Sequence, residues 1–360
     1  MKVLFLGQIT NGQTSKMRMA ALTRLGHEVR GVDTTAPWIR ASWFSRQLQR
    51  RFQFGAVVDE INQSIVNAAV PFRPDLVWAE KQEFVHRETL DFLSRQGARL
   101  VHFTPDPYFT LGWKRTNVMD DAFSGFDFLI YCKSYEKSAY ESLGKLALYM
   151  PLGYCDEVHV PRQSRADRWR CDVGFLGGWE PRRERLTRAL LKSGIDLKLW
   201  GGSWDFLCDG RWTLRRHLIL RQLAGSDVFD IRIDPLLARA YQGDEVYGDD
   251  YALALSGAKI GLGLLRKVCP DQHTTRTFEI PACGSMLIAD RTSEHQEFFE
   301  EGVEAEFFSS ELELIDKIGF YLRHEGSRHK VAVAGLARCR AGRYAYIHRI
   351  ADVLEIVGRY

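Results

Sequence analysis

His273-Thr274-Thr275-Arg276-Thr277-Phe278-Glu279-Ile280-Pro281-Ala282-Cys283-Gly284, running on through Ser285 into Met286-Leu287-Ile288-Ala289-Asp290, reads as a polar loop, a helix start with one carboxylate, a glycine turn and a buried parallel strand. A helix start carries unpaired N–H groups and the positive end of the dipole, and both favour an anion. Arg276 adds a planar fork that matches phosphate oxygens. Glu279, one helical turn on, is placed to accept hydrogen bonds from two neighbouring hydroxyls. Phosphate beside a vicinal diol is the signature of a nucleotide, so His273, Thr274, Thr275, Arg276 and Glu279 are the expected nucleotide-sugar-binding residues. Asp271 precedes Glu279 by eight positions. The pair brackets the loop, with Asp271 toward the sugar and Glu279 toward the ribose.

Outward from this stretch, short apolar runs alternate with helical periodicity. Val3–Leu6, Glu28–Val32, Leu76–Ala79, Leu100–Phe103 and Phe128–Tyr131 read as buried strands, with helices at Thr14–Leu25, Arg87–Arg95 and Ser134–Ser142 between them. Such alternation predicts a parallel sheet covered on both faces. A polar, arginine-rich linker follows Pro151-Leu152-Gly153. The alternation then restarts with strands at Val173–Leu176, Leu197–Trp200 and Lys259–Leu264, and helices at Arg182–Lys192 and Asp250–Ser256. Leu207–Phe229 reads as basic and helical, and helices at Glu311–Arg323, His329–Arg340 and Tyr344–Val357 close the chain. The expected architecture is α/β, two doubly wound Rossmann-like domains at 1–160 and 161–343, with a final helix at 344–360 packing back on the first. Ligands of such sheets lie beyond the carboxyl ends of the strands, so the expected site is a cleft between the two domains.

At 360 residues the chain exceeds what one core usually supports. Hydrophobic residues at 45% and charged residues at 26% are an ordinary globular balance, and a formal charge of +3 gives no sign of nucleic acid. No apolar run reaches membrane-spanning length, and Met1–Leu6 reads as a first strand, not a signal peptide. Seven scattered cysteines without Cys-x-x-Cys argue for a reducing, cytoplasmic setting and against a zinc site.

Gly7-Gln8-Ile9-Thr10-Asn11-Gly12-Gln13-Thr14 has P-loop spacing with Gln13 where the lysine belongs, which argues against NTP hydrolysis. No G-x-G-x-x-G is present. Gly12 is then either a tight-turn residue or part of an amide-lined wall. In Gly177-Gly178-Trp179-Glu180-Pro181-Arg182-Arg183 the glycines allow close backbone approach and Pro181 opens a helix. Arg182 and Arg183 then occupy a first turn, where the dipole disfavours cations unless an anion compensates. Arg266, at a strand's carboxyl end, either meets a diphosphate or is solvated. Glu80, His102 and Asp106 each follow a buried strand and are candidates to orient or deprotonate an acceptor hydroxyl. Asp106 is preferred because Pro105 and Pro107 fix its backbone. Trp38–Phe54 and Arg211–Arg221 mix arginine with apolar residues, which suits either an anionic membrane or a sheet-covering helix. Asp120-Asp121 and Asp249-Asp250 lack the Asp-x-Asp form of a metal loop.

The second half resembles the GT-B glycosyltransferases of the spore-maturation (CgeB-like) type, relatives of the family-4 (group 1) transferases. The likeness is carried by Val173–Arg185 (VGFLGGWEPRRER), Leu199–Trp204 (LWGGSW), Val246–Ile260 (VYGDDYALALSGAKI), Thr275–Gly284 (TRTFEIPACG) and Tyr344–Arg349 (YAYIHR). Pro74–Ala79 (PDLVWA) and Phe103–Pro107 (FTPDP) resemble the matching first domain, so the similarity spans nearly the whole chain. The resemblance implies that Glu279 matches the second carboxylate of the family's E-x7-E motif, which binds the ribose. Asp271 stands where the first glutamate is expected. Gly178, Arg182 and Arg183 fall near the residues that bind the donor diphosphate, although Trp179 and Glu180 depart from the usual run.

The expected activity is therefore glycosyl transfer from a nucleoside-diphosphate sugar to an acceptor hydroxyl, retaining and metal-independent by kinship, with no resident cofactor. The acceptor is a carbohydrate, a lipid or a protein. The alternatives are a non-catalytic nucleotide-sugar or glycan-binding protein and a GT-B epimerase acting on a UDP-sugar.

Overall fold

The computed structural model describes residues 1–112, 115–163, 166–205 and 234–359. The expected basic helix at Leu207–Phe229, with Arg211–Arg221, lies outside the described residues. The chain forms two compact units, Met1–Cys155 with Ala345–Tyr360, and Asp156–Tyr344.

The first unit is built on β1 (Lys2–Gly7), β2 (Glu28–Asp33), β3 (Leu76–Glu80), β4 (Arg99–Thr104), β5 (Phe128–Tyr131) and β6 (Leu146–Tyr149). All pair in parallel, in the order β2-β1-β3-β4-β5-β6. Val3, Leu4, Phe5 and Leu6 of β1 are fully buried, as expected of a central strand covered on both faces. The covering helices are α1 (Thr14–Arg24), α2 (Ala36–Arg40), α3 (Trp43–Phe52), α4 (Ala56–Phe72), α5 (Arg87–Arg95), α6 (Asn117–Gly125) and α7 (Lys137–Glu141). One core cluster joins Leu4 and Leu6 to Ile61 and Ile65 of α4 and Leu90 and Leu93 of α5.

The second unit carries β7 (Cys171–Leu176), β8 (Leu197–Trp200), β9 (Ala258–Gly263), β10 (Met286–Asp290) and β11 (Glu306–Phe308), parallel and ordered β11-β10-β9-β7-β8. Its described helices are α8 (Pro181–Lys192), α9 (Pro235–Ala240), α10 (Gly248–Gly257), α11 (Arg276–Ala282), α12 (Ser293–Phe298), α13 (Glu311–Arg323) and α14 (Glu325–Ala341). Helix starts are set by local chemistry, with Ser310 accepting from the Glu313 amide and Thr292 from the His295 amide. Gly284, at φ +85°, makes the left-handed turn from α11 into β10.

In both sheets the second strand in sequence lies outside the first and the third on its other side. Strand order therefore reverses between β1 and β3, and again between β7 and β9. Ligand sites of open α/β sheets form at such switch points, beyond the carboxyl ends of the strands.

The last helix, α15 (Tyr346–Arg359), belongs to the first unit. The Tyr346 amide donates to the Tyr154 carbonyl at 2.8 Å, and Arg99 Nη1 donates to the Val357 carbonyl at 2.5 Å. Asp156–Val160, expected in the first domain, falls in the second unit. There His159 packs edge-on against Tyr251, their ring centroids 5.6 Å apart.

Candidate functional site

Arg276, Glu180 and Arg266 act electrostatically on Arg183 at the β7/β9 switch point of the second unit. The turn after β7 is tied to the turn after β8, with the Gly177 amide on the Trp200 carbonyl at 2.9 Å and the Trp179 amide on the Gly202 carbonyl at 3.0 Å. Gly201 is required there, since a Cβ would lie 2.4 Å from the Gly177 carbonyl oxygen. Pro181 then opens α8 and turns Arg183 inward. Arg183 spans the switch point, with Nη1 on the Gly178 carbonyl after β7 and Nη2 on the Leu264 carbonyl after β9, each at 2.9 Å. Its Nε is buried without a hydrogen-bond acceptor among the described residues, as is Nε of Arg276. Burial, and next the neighbouring Arg276 cation, push the Arg183 guanidinium down to about 9, with Glu180 opposing and Arg266 adding to the fall. The group is still charged at neutral pH. Arg183 is thus desolvated between the half-buried Arg276 and the exposed Arg266, with the Glu180 carboxylate 3.8 Å from its Nε, beyond hydrogen-bond reach. An anion there would relieve the repulsion and meet the unbonded Nε donors.

Thr274, Thr275 and Arg276 form the half-buried start of α11. Helix geometry leaves the Thr275 and Arg276 amides without intrahelical acceptors, while the Thr274 amide is satisfied by Thr277 Oγ1 at 3.1 Å. Glu279 is buried, 3% exposed. Its Oε2 accepts from the Tyr251 hydroxyl at 2.6 Å and from Thr275 Oγ1 at 3.0 Å, and its Oε1 faces His159 Nε2 at 3.7 Å. The two hydroxyl donors found on this carboxylate belong to the protein, whereas the sequence points to those of a ribose. Burial lowers the His159 pKa, partly opposed by Glu279. Burial, then the Glu279 charge, raises that of Tyr251 well above its ordinary value.

The structure separates residues that the sequence placed together. Arg182 points away from Arg183 and makes a two-point pair with Asp290 at the end of β10, Nη1 to Oδ2 at 3.1 Å and Nη2 to Oδ1. It lines a cavity of about 580 Å³ with Arg185, Lys267, Phe308 and Ser310. Neighbouring helix positions differ by about 100° in direction, so adjacent arginines serve different places. His273 is also not on the open loop surface. Its ring is 1% exposed, bonded through Nδ1 to Glu294 Oε2, and packed on Phe298 with centroids 5.2 Å apart. Asp271 is 5% exposed, as deeply placed as Glu279 at 3%. Arg266 is exposed beyond β9.

In the first unit, two of the three candidate bases are corrected. Glu80 is 1% exposed and is gripped by Arg18, Nε to Oε1 at 2.6 Å and Nη2 to Oε2 at 2.7 Å, with the Trp78 indole N–H at 3.1 Å. Arg18 itself lies over the Phe103 and Tyr346 rings. His102 is fully buried, and its Nε2 lone pair already accepts the Gln82 amide at 3.1 Å, which places the ring proton on Nδ1 beside Thr104 Oγ1. Burial pushes its pKa down to about 3. Glu80 closes β3 and His102 lies within β4, and both strands are interior, so both side chains are enclosed. Asp106 differs, since its side chain is 29% exposed and pairs with Lys81 Nζ at 2.5 Å. Lys81, at φ +53°, sits in the left-handed region beside it. Gly12, at φ +82°, keeps a half-buried turn beyond β1.

Tyr251 and His159 escaped the sequence reading. Their partner lies 28 residues from Tyr251 along the chain, and neither carries a motif of its own. Among the described residues no group of three or more histidine, cysteine, aspartate or glutamate side chains could hold a metal ion.

Residues 182–355 match the family model described as "Glycosyl transferase-like". The fold is that of GT-B glycosyltransferases. Anabaena Alr3699/HepE, solved in complex with UDP-glucose, superposes with a TM-score of 0.62 at 14% identity, covering 100% of both chains. Sucrose-phosphate synthase from Thermosynechococcus elongatus gives a TM-score of 0.64 at 13% identity, over 99% of this chain and 98% of that one. α,α-Trehalose 6-phosphate synthase from Burkholderia multivorans gives 0.59 at 14%, over 100% and 99%. No curated protein matches the sequence at a significant level.

Proposed function

We propose that this chain transfers a sugar from a nucleoside-diphosphate sugar to an acceptor hydroxyl. The observation that carries the reading is Arg183, bridging the ends of β7 and β9 with a buried Nε that lacks an acceptor and with Arg276 and Arg266 in electrostatic reach. The diphosphate sits against this cluster and the Thr275 and Arg276 amides. As the glycosidic bond breaks, negative charge grows on the leaving phosphate, and donors already fixed in place stabilise it. Glu279, held by Tyr251 and Thr275, offers Oε1 to the ribose. A uridine nucleotide is the first donor to try, because the HepE neighbour was solved with UDP-glucose.

The arginines supply the positive charge that a metal would otherwise bring, which supports metal-independent transfer without a resident cofactor. Of the two candidate carboxylates in the first unit, Glu80 and Asp106, Asp106 is the one open to solvent, and it is assigned to the acceptor hydroxyl. Retention of anomeric configuration, kinship with the CgeB-like type, a role in glycan biosynthesis and a cytoplasmic location belong to the same reading through the sequence resemblance.

Incubation with UDP-, GDP- and dTDP-sugars and a panel of carbohydrate acceptors tests this directly. Released diphosphate with labelled acceptor supports transfer. Ring isomerisation without transfer, or thermal stabilisation without turnover, replaces it with an epimerase or a binding protein.

A further inference from the structure

Helix α3 meets its unit through a polar residue. Gln49 is its buried position, with Nε2 donating to Ser45 Oγ at 2.7 Å and Oε1 accepting from the Val57 amide at 2.8 Å. Phe44, Leu48 and Phe52, four residues apart, form one stripe that is 70%, 48% and 55% exposed. Trp43, Ile39 and Phe54 are likewise more than half exposed around it. A surface helix normally turns its apolar stripe to the core and its polar residues to water. Helix α3 does the reverse.

The charge around this stripe has one sign. Residues 34–58 contain Arg40, Arg46, Arg50 and Arg51 and no aspartate or glutamate. Arg40 reaches Glu60 outside that span, and Arg50 lies over the Trp38 ring at 5.4 Å. A second copy of the chain would bring like-charged arginines together at the same stripe. An anionic bilayer surface accepts both features at once, aromatic rings at the headgroup level and guanidinium groups on lipid phosphates.

We propose that α3 and its flanks dock on an anionic membrane surface, with α3 lying in the interfacial plane. No helix of the described residues is long and apolar enough to cross a membrane. The proposal is independent of the sugar-transfer reading, because lipid binding is measured without turnover.

The test is co-sedimentation of the full chain with phosphatidylcholine vesicles, with and without phosphatidylglycerol. Wild-type protein pellets with the anionic vesicles, stays largely in solution with the neutral ones, and is released by high salt as the arginine contacts are screened. The triple variant Phe44→Ser/Leu48→Ser/Phe52→Ser loses binding by roughly tenfold or more at an unchanged melting temperature, because these side chains are exposed. Arg50→Glu/Arg51→Glu loses the anionic preference. Wild-type protein that remains in solution with anionic vesicles overturns the proposal, as does binding that both variants retain. Self-association lost in the triple variant, with no vesicle binding, assigns the face to a second copy and also overturns it.

Discussion

The Tyr251 hydroxyl donates to Glu279 Oε2 at 2.6 Å inside the second unit, and Thr275 Oγ1 donates to the same oxygen at 3.0 Å. One carboxylate oxygen is thereby fixed by the protein, and the other is held at a set position beside His159. Tyr251→Phe keeps the ring and removes the donor. A hydrogen bond to a charged group contributes about 1.5–3 kcal/mol, so UDP affinity should fall roughly tenfold or more. Titration calorimetry checks this, and unchanged affinity would remove Glu279 from the ribose.

Arg276 is the cleaner probe of the leaving-group site, since it is half-buried while Arg183 also holds two carbonyls. Arg276→Gln should lower turnover by roughly 10²–10³ while the melting temperature stays close to wild type. A kcat within twofold of wild type would exclude Arg276 from charge stabilisation.

Glu80 and Asp106 make opposite predictions. Glu80→Gln leaves Arg18 buried with its pairing broken and should cost about 3–5 kcal/mol in urea unfolding, with normal kcat in the protein that remains folded. Asp106→Asn loses only a half-exposed pair with Lys81, and should leave stability within about 1 kcal/mol of wild type. Its turnover should drop roughly 10²–10⁴-fold if Asp106 accepts the acceptor proton. Equal kinetic effects of the two changes would refute this division of roles.

The pH dependence of stability follows from histidines buried in neutral form. Burial holds His102 at about 3 and His295 at about 4, and lowers His159 as well. Below the ordinary histidine value near 6.5 the unfolded chain takes up protons that the fold refuses, so stability falls as pH falls. By pH 5 each of His102 and His295 should have cost about 2 kcal/mol. Glu313, held at about 2 chiefly by its hydrogen bond from Arg291, contributes stability that is lost only in the more acidic range, below the ordinary carboxylate value. Melting temperature should therefore decline between about pH 6.5 and 5, and His295→Asn should flatten that decline relative to its own value at pH 7.5. A flat profile in the wild type would show these rings to be protonated in the fold.

Interior strands were legible because burial on both faces writes a continuous apolar run. Met286–Asp290 and Phe128–Tyr131 form the strands their sequences announce, and the parallel α/β class follows from them. Of the edge strands, β2 and β8 were legible and β6 and β11 were not. β6 is only partly buried, and β11 has three residues, too few for a period to register. The glycines, arginines and one glutamate that the sequence marks do lie in the turns after β7 and β9 and at the start of α11, where the phosphate site is proposed. Side-chain direction was not legible. Glu80 turns inward because Arg18, 62 residues earlier, is buried beside it, and Glu279 meets Tyr251 only after α10 and α11 pack. Such partners are set by tertiary contacts, which local sequence does not encode.

The most direct test of the diphosphate site is a crystal structure of the protein soaked with UDP. The phosphates should lie within hydrogen-bond reach of Arg183 Nε and the Arg276 amide, beyond the ends of β7 and β9. Phosphate density bound elsewhere, with the three arginines unchanged and unliganded, would contradict the assignment.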